Sequence, residues 1–154
     1  MRHAVLGAVR ALSVAAVFNV GCSSPPPASN SFTQVYTTVI ARKCSSQYCH
    51  SNGVNIRYSG LDMSSQVVAY WGLVDQPLAG PSCAQMGTRV IPFDPEASVM
   101  YLKVSQTMPP CGSQMPADPT TLLTKGSAVF VGPALSSDEQ QLIYNWIKDG
   151  AQDN

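Results

Sequence analysis

The stretch Cys44-Ser45-Ser46-Gln47-Tyr48-Cys49-His50 constrains this chain more than any other, because it sets two thiols and an imidazole side by side. Such a set has four readings. The thiols can form thioethers with the vinyl groups of a haem, with the histidine that follows aimed at the iron; that pattern usually has two residues between the cysteines, and here there are four. The thiols can instead bridge to each other, if the loop bends. They can join His50 on zinc, although no second well-spaced ligand pair accompanies them. Or His50 is a surface residue beside unrelated cysteines.

The start of the chain bears on this choice. Residues 1–21 read as an export signal of the lipoprotein type: Arg2, His3 and Arg10 precede an apolar run from Ala11 to Val20, which ends in Gly21-Cys22. The run is too short and Ala-rich for a comfortable membrane span. A small residue directly before Cys22 makes that cysteine the expected lipidation site, although Asn19 stands where such a signal usually has a leucine-like residue; ordinary signal cleavage nearby, with Cys22 uninvolved, is the alternative. Residues 22–31 are polar and proline-rich, with nothing to bury, and read as a tether. The chain is therefore expected in the periplasm or cell envelope, held to a membrane by lipid. An oxidising compartment permits disulfides, and it is also where bacteria attach haem to thiols.

Residues 32–154 have the size of one small domain. The nine basic residues include Arg2 and Arg10; without these two, seven basic residues face nine acidic ones. A slightly acidic domain lacks the basic stripe of a nucleic-acid binder. Low charge with many Pro and Gly suggests helices joined by long ordered loops.

Four helices are expected. Phe32, Val35, Tyr36, Val39 and Ile40 form one apolar stripe behind the capping side chains of Ser29, Asn30 and Ser31, and this helix runs into Cys44. A second helix spans about Ser65 to Val74, with Val67, Tyr70, Trp71 and Val74 on one face. Asp94-Pro95-Glu96 opens a third, continuing from Ala97 to Val104. The clearest is the last: Ser136-Ser137-Asp138-Glu139 has capping-box spacing, Leu142, Ile143, Trp146 and Ile147 form its stripe, and Gly150 ends it. Trp146 is large enough to anchor a crossing of this helix with the first. A small hairpin is expected from Thr120-Thr121-Leu122-Leu123 and Ala128-Val129-Phe130-Val131.

Between the third and last helices, Met108-Pro109 and Met115-Pro116 present thioethers on backbone that proline holds out of helical conformation. A stiff loop suits a thioether that must face a metal, whereas Met63 reads as core filler. Cys111 in the same loop is expected to pair with Cys83; free thiols, or pairing with Cys44 or Cys49, are the alternatives.

In this order the features resemble the cytochrome c fold, and more specifically the cytochrome c-like domain of exported bacterial lipoproteins, with a lengthened C-x4-C-H motif. The likeness is carried by Cys44, Cys49 and His50, Leu61-Asp62-Met63-Ser64, Arg89-Val90-Ile91-Pro92 with Asp94-Pro95, Cys111-Gly112 with Met115-Pro116, and Leu135-Ser136 through Trp146-Ile147 to Gly150-Ala151. It implies one covalent haem c, thioethers at Cys44 and Cys49, and iron ligands at His50 and Met115, with Met108 in reserve. It also implies an all-α fold of several short helices with long loops, its N- and C-terminal helices crossing. The expected role is electron transfer with a protein redox partner, not catalysis, because two filled axial positions leave no open site on the iron. Phe32, Trp71 and Trp146 are expected to keep water away from it. His50 needs an acceptor for its other ring nitrogen, which the sequence does not identify. The rival reading is a haem-free, disulfide-stapled lipoprotein that serves as a binding or structural module. A thiol-disulfide enzyme is a distant third, since the short spacing that tunes such pairs is missing.

Overall fold

The computed structural model describes residues 30–46, 49–51, 59–117 and 134–154. The export signal, Cys22, most of the tether and the expected hairpin lie outside them. Among the described residues the chain is all-α: it forms helices, no strands, and three isolated bridges, Val74 with Val90, Pro77 with Thr88 and Ile91 with Asp94.

The first helix begins at α1 (Phe32–Val35), whose N-cap Ser31 accepts the Gln34 N–H at 3.1 Å. It passes directly into a π-helical segment (Tyr36–Cys44). The apolar stripe survives this change of pitch: Phe32, Val35, Val39 and Ile40 are fully buried. Ser31 is buried too, and the Asn30 amide donates to Asp149 at 2.9 Å, so the last two residues of the expected tether belong to the fold.

The other helices are α2 (Gln66–Leu73), α3 (Val99–Ser105) and α4 (Ser137–Lys148). The capping box on α4 is present in both directions: the Ser136 N–H donates to the Glu139 carboxylate at 2.8 Å, and the Glu139 N–H donates to the Ser136 hydroxyl at 3.3 Å. Its C-terminus closes as a Schellman motif, with the Ala151 N–H on the Trp146 carbonyl and the Gly150 N–H on that of Ile147. Gly150 takes φ +103°, and a Cβ there would lie 2.8 Å from the Phe93 ring, so both conformation and space call for glycine.

α1 and α4 pack against each other, as the stripes require. Trp146 meets Phe32 at 5.0 Å between ring centroids. At one end the Thr33 N–H donates to the Asn154 carbonyl at 2.9 Å, and at the other Lys43 pairs with Glu139 at 2.7 Å, so the two helices run antiparallel. Full burial of Trp146, Phe32, Ile143 and Ile147 supplies much of the core; each large side chain removed from water contributes about 1.5–3 kcal/mol.

Two expectations fail. On α2 the buried positions are Ala69 and Leu73, while Val67 and Trp71 face solvent, Trp71 being 68% exposed; Trp71 is therefore not part of a water-excluding wall. This helix has no charged side chain to mark its outer face, and Ala69 and Leu73 lie on the side that packs. α3 starts later than its capping signal implies. Asp94 accepts the Ala97 N–H at 3.0 Å, but this closes a separate turn. The buried Ser98 hydroxyl then donates to the Asp94 carbonyl at 2.7 Å and accepts the Ile91 N–H at 2.8 Å, holding Ser98 extended so that the helix begins at Val99.

Candidate functional site

The π-helical segment delivers Cys44 to its final turn, half-buried against the core. The Ser45 N–H reaches back to the Ile40 carbonyl at 2.9 Å, and the chain then folds under the helix end. There the His50 N–H donates to the Cys44 carbonyl at 2.9 Å and the Ser51 hydroxyl to the Ser45 carbonyl at 2.6 Å. Carbonyls that a helix end leaves without partners are thus taken by the motif itself.

Three contacts orient His50. Besides its own N–H on Cys44, its carbonyl accepts the N–H of buried Met63, and its Nδ1 lies 3.3 Å from the Leu61 carbonyl. A carbonyl can only accept, so Nδ1 carries the proton and Nε2 is left with a lone pair. Burial lowers the histidine's pKa; the Leu61 carbonyl opposes this, and the positive charges of Arg89 and Lys103 reinforce it. The ring is held neutral, the form in which imidazole binds a metal.

Leu61 is itself held in place by Arg89, the one charged side chain that is buried among the described residues. Its guanidinium donates to the Gly60 carbonyl at 2.7 Å and to the Gly72 carbonyl at 2.6 Å, fastening the Gly60–Met63 strand of chain to the end of α2. Gly60 takes φ +62°, and a Cβ there would stand 2.7 Å from that of Ala79.

Cys44 and Cys49 are free thiols, in a chain that does pair Cys83 with Cys111. Burial pushes the Cys44 thiol up to about 12, with the neighbouring Cys49 adding to it and Lys43 opposing. A thiol held in its protonated form in this way is a weaker nucleophile than an exposed one. Among the described residues no three His, Cys, Asp or Glu side chains converge to hold a metal ion, so the zinc reading finds no ligand set there.

The Met-Pro loop is fastened from two directions. The disulfide from Cys83 to Cys111 packs on Val99 of α3. From the same helix, Lys103 donates through Nζ to the carbonyls of Cys111 at 2.7 Å and Ser113 at 3.2 Å, and its own carbonyl accepts the Met115 N–H at 2.8 Å. Burial lowers the lysine's pKa. Met115 ends half-buried against the same core that Cys44 borders, whereas Met108 is 87% exposed and Met63 is core.

The sequence reading used Leu61 and Arg89 only as carriers of the likeness, with no role at the site, and did not single out Lys103. Arg89 and Lys103 stand out in hindsight as isolated bases in weakly charged stretches; a backbone carbonyl leaves no trace in a sequence. No family model matches this chain, and neither a curated protein nor a solved structure matches it.

Proposed function

We propose that this chain is an electron carrier, exported and tethered to a membrane by lipid on Cys22, which holds one haem c covalently through Cys44 and Cys49. His50 would supply one iron ligand through Nε2 and Met115 the other, and the bound group would supply a one-electron couple. What carries this reading is the three-way hold on a neutral His50 beside two unpaired thiols.

The donor set fits that group. Nδ1 is committed to Leu61, so Nε2 is the free nitrogen, and a histidine so oriented loses little rotamer freedom on ligation. Lys103 and the disulfide hold the Met115 segment, and the exposure of Met108 favours Met115 over it. Arg89 and Lys103 disfavour added positive charge at His50, so with the group bound they would raise its reduction potential, in the same direction as a thioether ligand. With His50 and Met115 both holding the group, a redox partner protein, not a small substrate, would be the expected counterpart.

The test is the absorption spectrum of the protein after denaturing purification, following expression in a host that attaches haem. Haem absorption that stays with the polypeptide is the expected result. A colourless protein without free thiols, from cells in which a control cytochrome matures, would replace this reading with the haem-free, disulfide-stapled module.

A further inference from the structure

The outer face of α2 groups three exposed apolar side chains on one short helix that neither the core nor the proposed haem site uses. Val67 is 62% and Trp71 68% exposed, with Val68 beside them, on a helix that has no charged residue along its length. Exposed apolar residues grouped in this way mark an interaction surface more often than isolated ones do.

Its place in the fold says what covers it. α2 is docked on the first turn of the first helix: Gln66 donates to the Thr33 hydroxyl at 2.9 Å, and the rings of Phe32, Tyr70 and Trp71 follow one another at 5.2 and 5.6 Å. Val67 and Trp71 thus lie beside the point where the chain enters the domain. The stretch from Cys22 to Asn30 reaches at most about 30 Å even when fully extended. A lipid on Cys22 therefore holds this end of the domain, and with it the α2 face, close to the bilayer.

From this placement we infer that α2 is the membrane-facing side of the domain, with Trp71 and Val67 seated in the interfacial region of the lipid layer. Tryptophan favours that region, where one part of the ring is apolar and the N–H stays wet. The absence of charge on α2 removes the desolvation cost that would otherwise oppose contact. The inference rests on the lipid anchor of the proposed function and is independent of haem.

The chain has two tryptophans, and Trp146 is buried, so Trp71 reports alone on surface contact. The experiment places the full mature protein on phosphatidylcholine vesicles with brominated acyl chains, and mass spectrometry records whether Cys22 is acylated. Trp71 emission should shift to the blue and be quenched. The quenching should be lost in Trp71→Phe and reduced in Val67→Glu, while far-ultraviolet circular dichroism reports an intact fold in both. An acylated, vesicle-bound protein whose Trp71 is not quenched overturns the inference and leaves the anchor standing; if that protein sediments as a dimer, the occupant is a second copy. Quenching without acylation keeps the α2 face and overturns the anchor, and absence of both overturns both.

Discussion

Nδ1 of His50 lies 3.3 Å from the carbonyl of Leu61, and that carbonyl is positioned by Arg89, which bonds the preceding residue and the end of α2. The histidine's tautomer is thereby decided by a residue 39 positions away in sequence. Removing the guanidinium should loosen the Gly60–Met63 segment and withdraw a positive charge from His50. Arg89→Gln is expected to lower the reduction potential of the haem-loaded protein by on the order of tens of mV. Redox titration checks this, and an unchanged potential would separate Arg89 from the site.

Met115→Ala should leave haem attached, because the thioethers are untouched, yet open the iron to added imidazole or azide. Lys103→Met should produce a weaker form of the same phenotype, since it keeps the side chain's apolar stem but frees the Cys111 and Ser113 carbonyls. Ligand titration followed by absorbance distinguishes them; a Met115→Ala spectrum identical to wild type would remove Met115 as a ligand.

The ion pair between Lys43 and Glu139 joins the end of the first helix to the start of α4. Burial alone would raise the Glu139 pKa, but the bonds from Lys43 and from Ser136 outweigh it and hold it below the ordinary 4.5. A depressed carboxylate stabilises the fold above its unfolded pKa and loses that contribution as pH falls through the folded value. Glu139→Gln keeps a capping-box side chain, so it should cost about 0.5–1 kcal/mol at neutral pH and progressively less as pH falls below the ordinary carboxylate value. Urea denaturation across that range measures it.

Gly150→Ala should destabilise the domain by about 1–2 kcal/mol from its left-handed backbone alone. The approach to Phe93 adds to this, and because Phe93 is exposed the added part should be recovered in the double variant with Phe93→Ala. Thermal melts of the four proteins of the cycle would show it.

Opening the disulfide by Cys83→Ser with Cys111→Ser should cost about 2–5 kcal/mol. It should also ease ligand entry at the iron if the loop positions Met115, whereas a stability loss without that change would make the bridge purely structural.

How much of this was legible from residues alone can be traced element by element. Apolar spacing and capping chemistry act within a few residues, so the sequence by itself determined the first helix and its stripe, the capping box and Gly150 terminus of α4, and the arrival of Cys44 at a helix end. The pairing of Cys83 with Cys111 was expected, among alternatives, on the same local reading of two long loops. Tertiary structure alone decided which side of α2 is buried, because a helix apolar on every side carries no mark of its outer face. It also delayed α3 to Val99, through a Ser98 hydroxyl caught by Ile91 and Asp94. Above all, only the folded chain brings the Leu61 carbonyl to His50 and the Lys103 ammonium to the Met115 loop. Each of those contacts ends on a backbone carbonyl, a group common to every residue, at a separation that no local pattern spans.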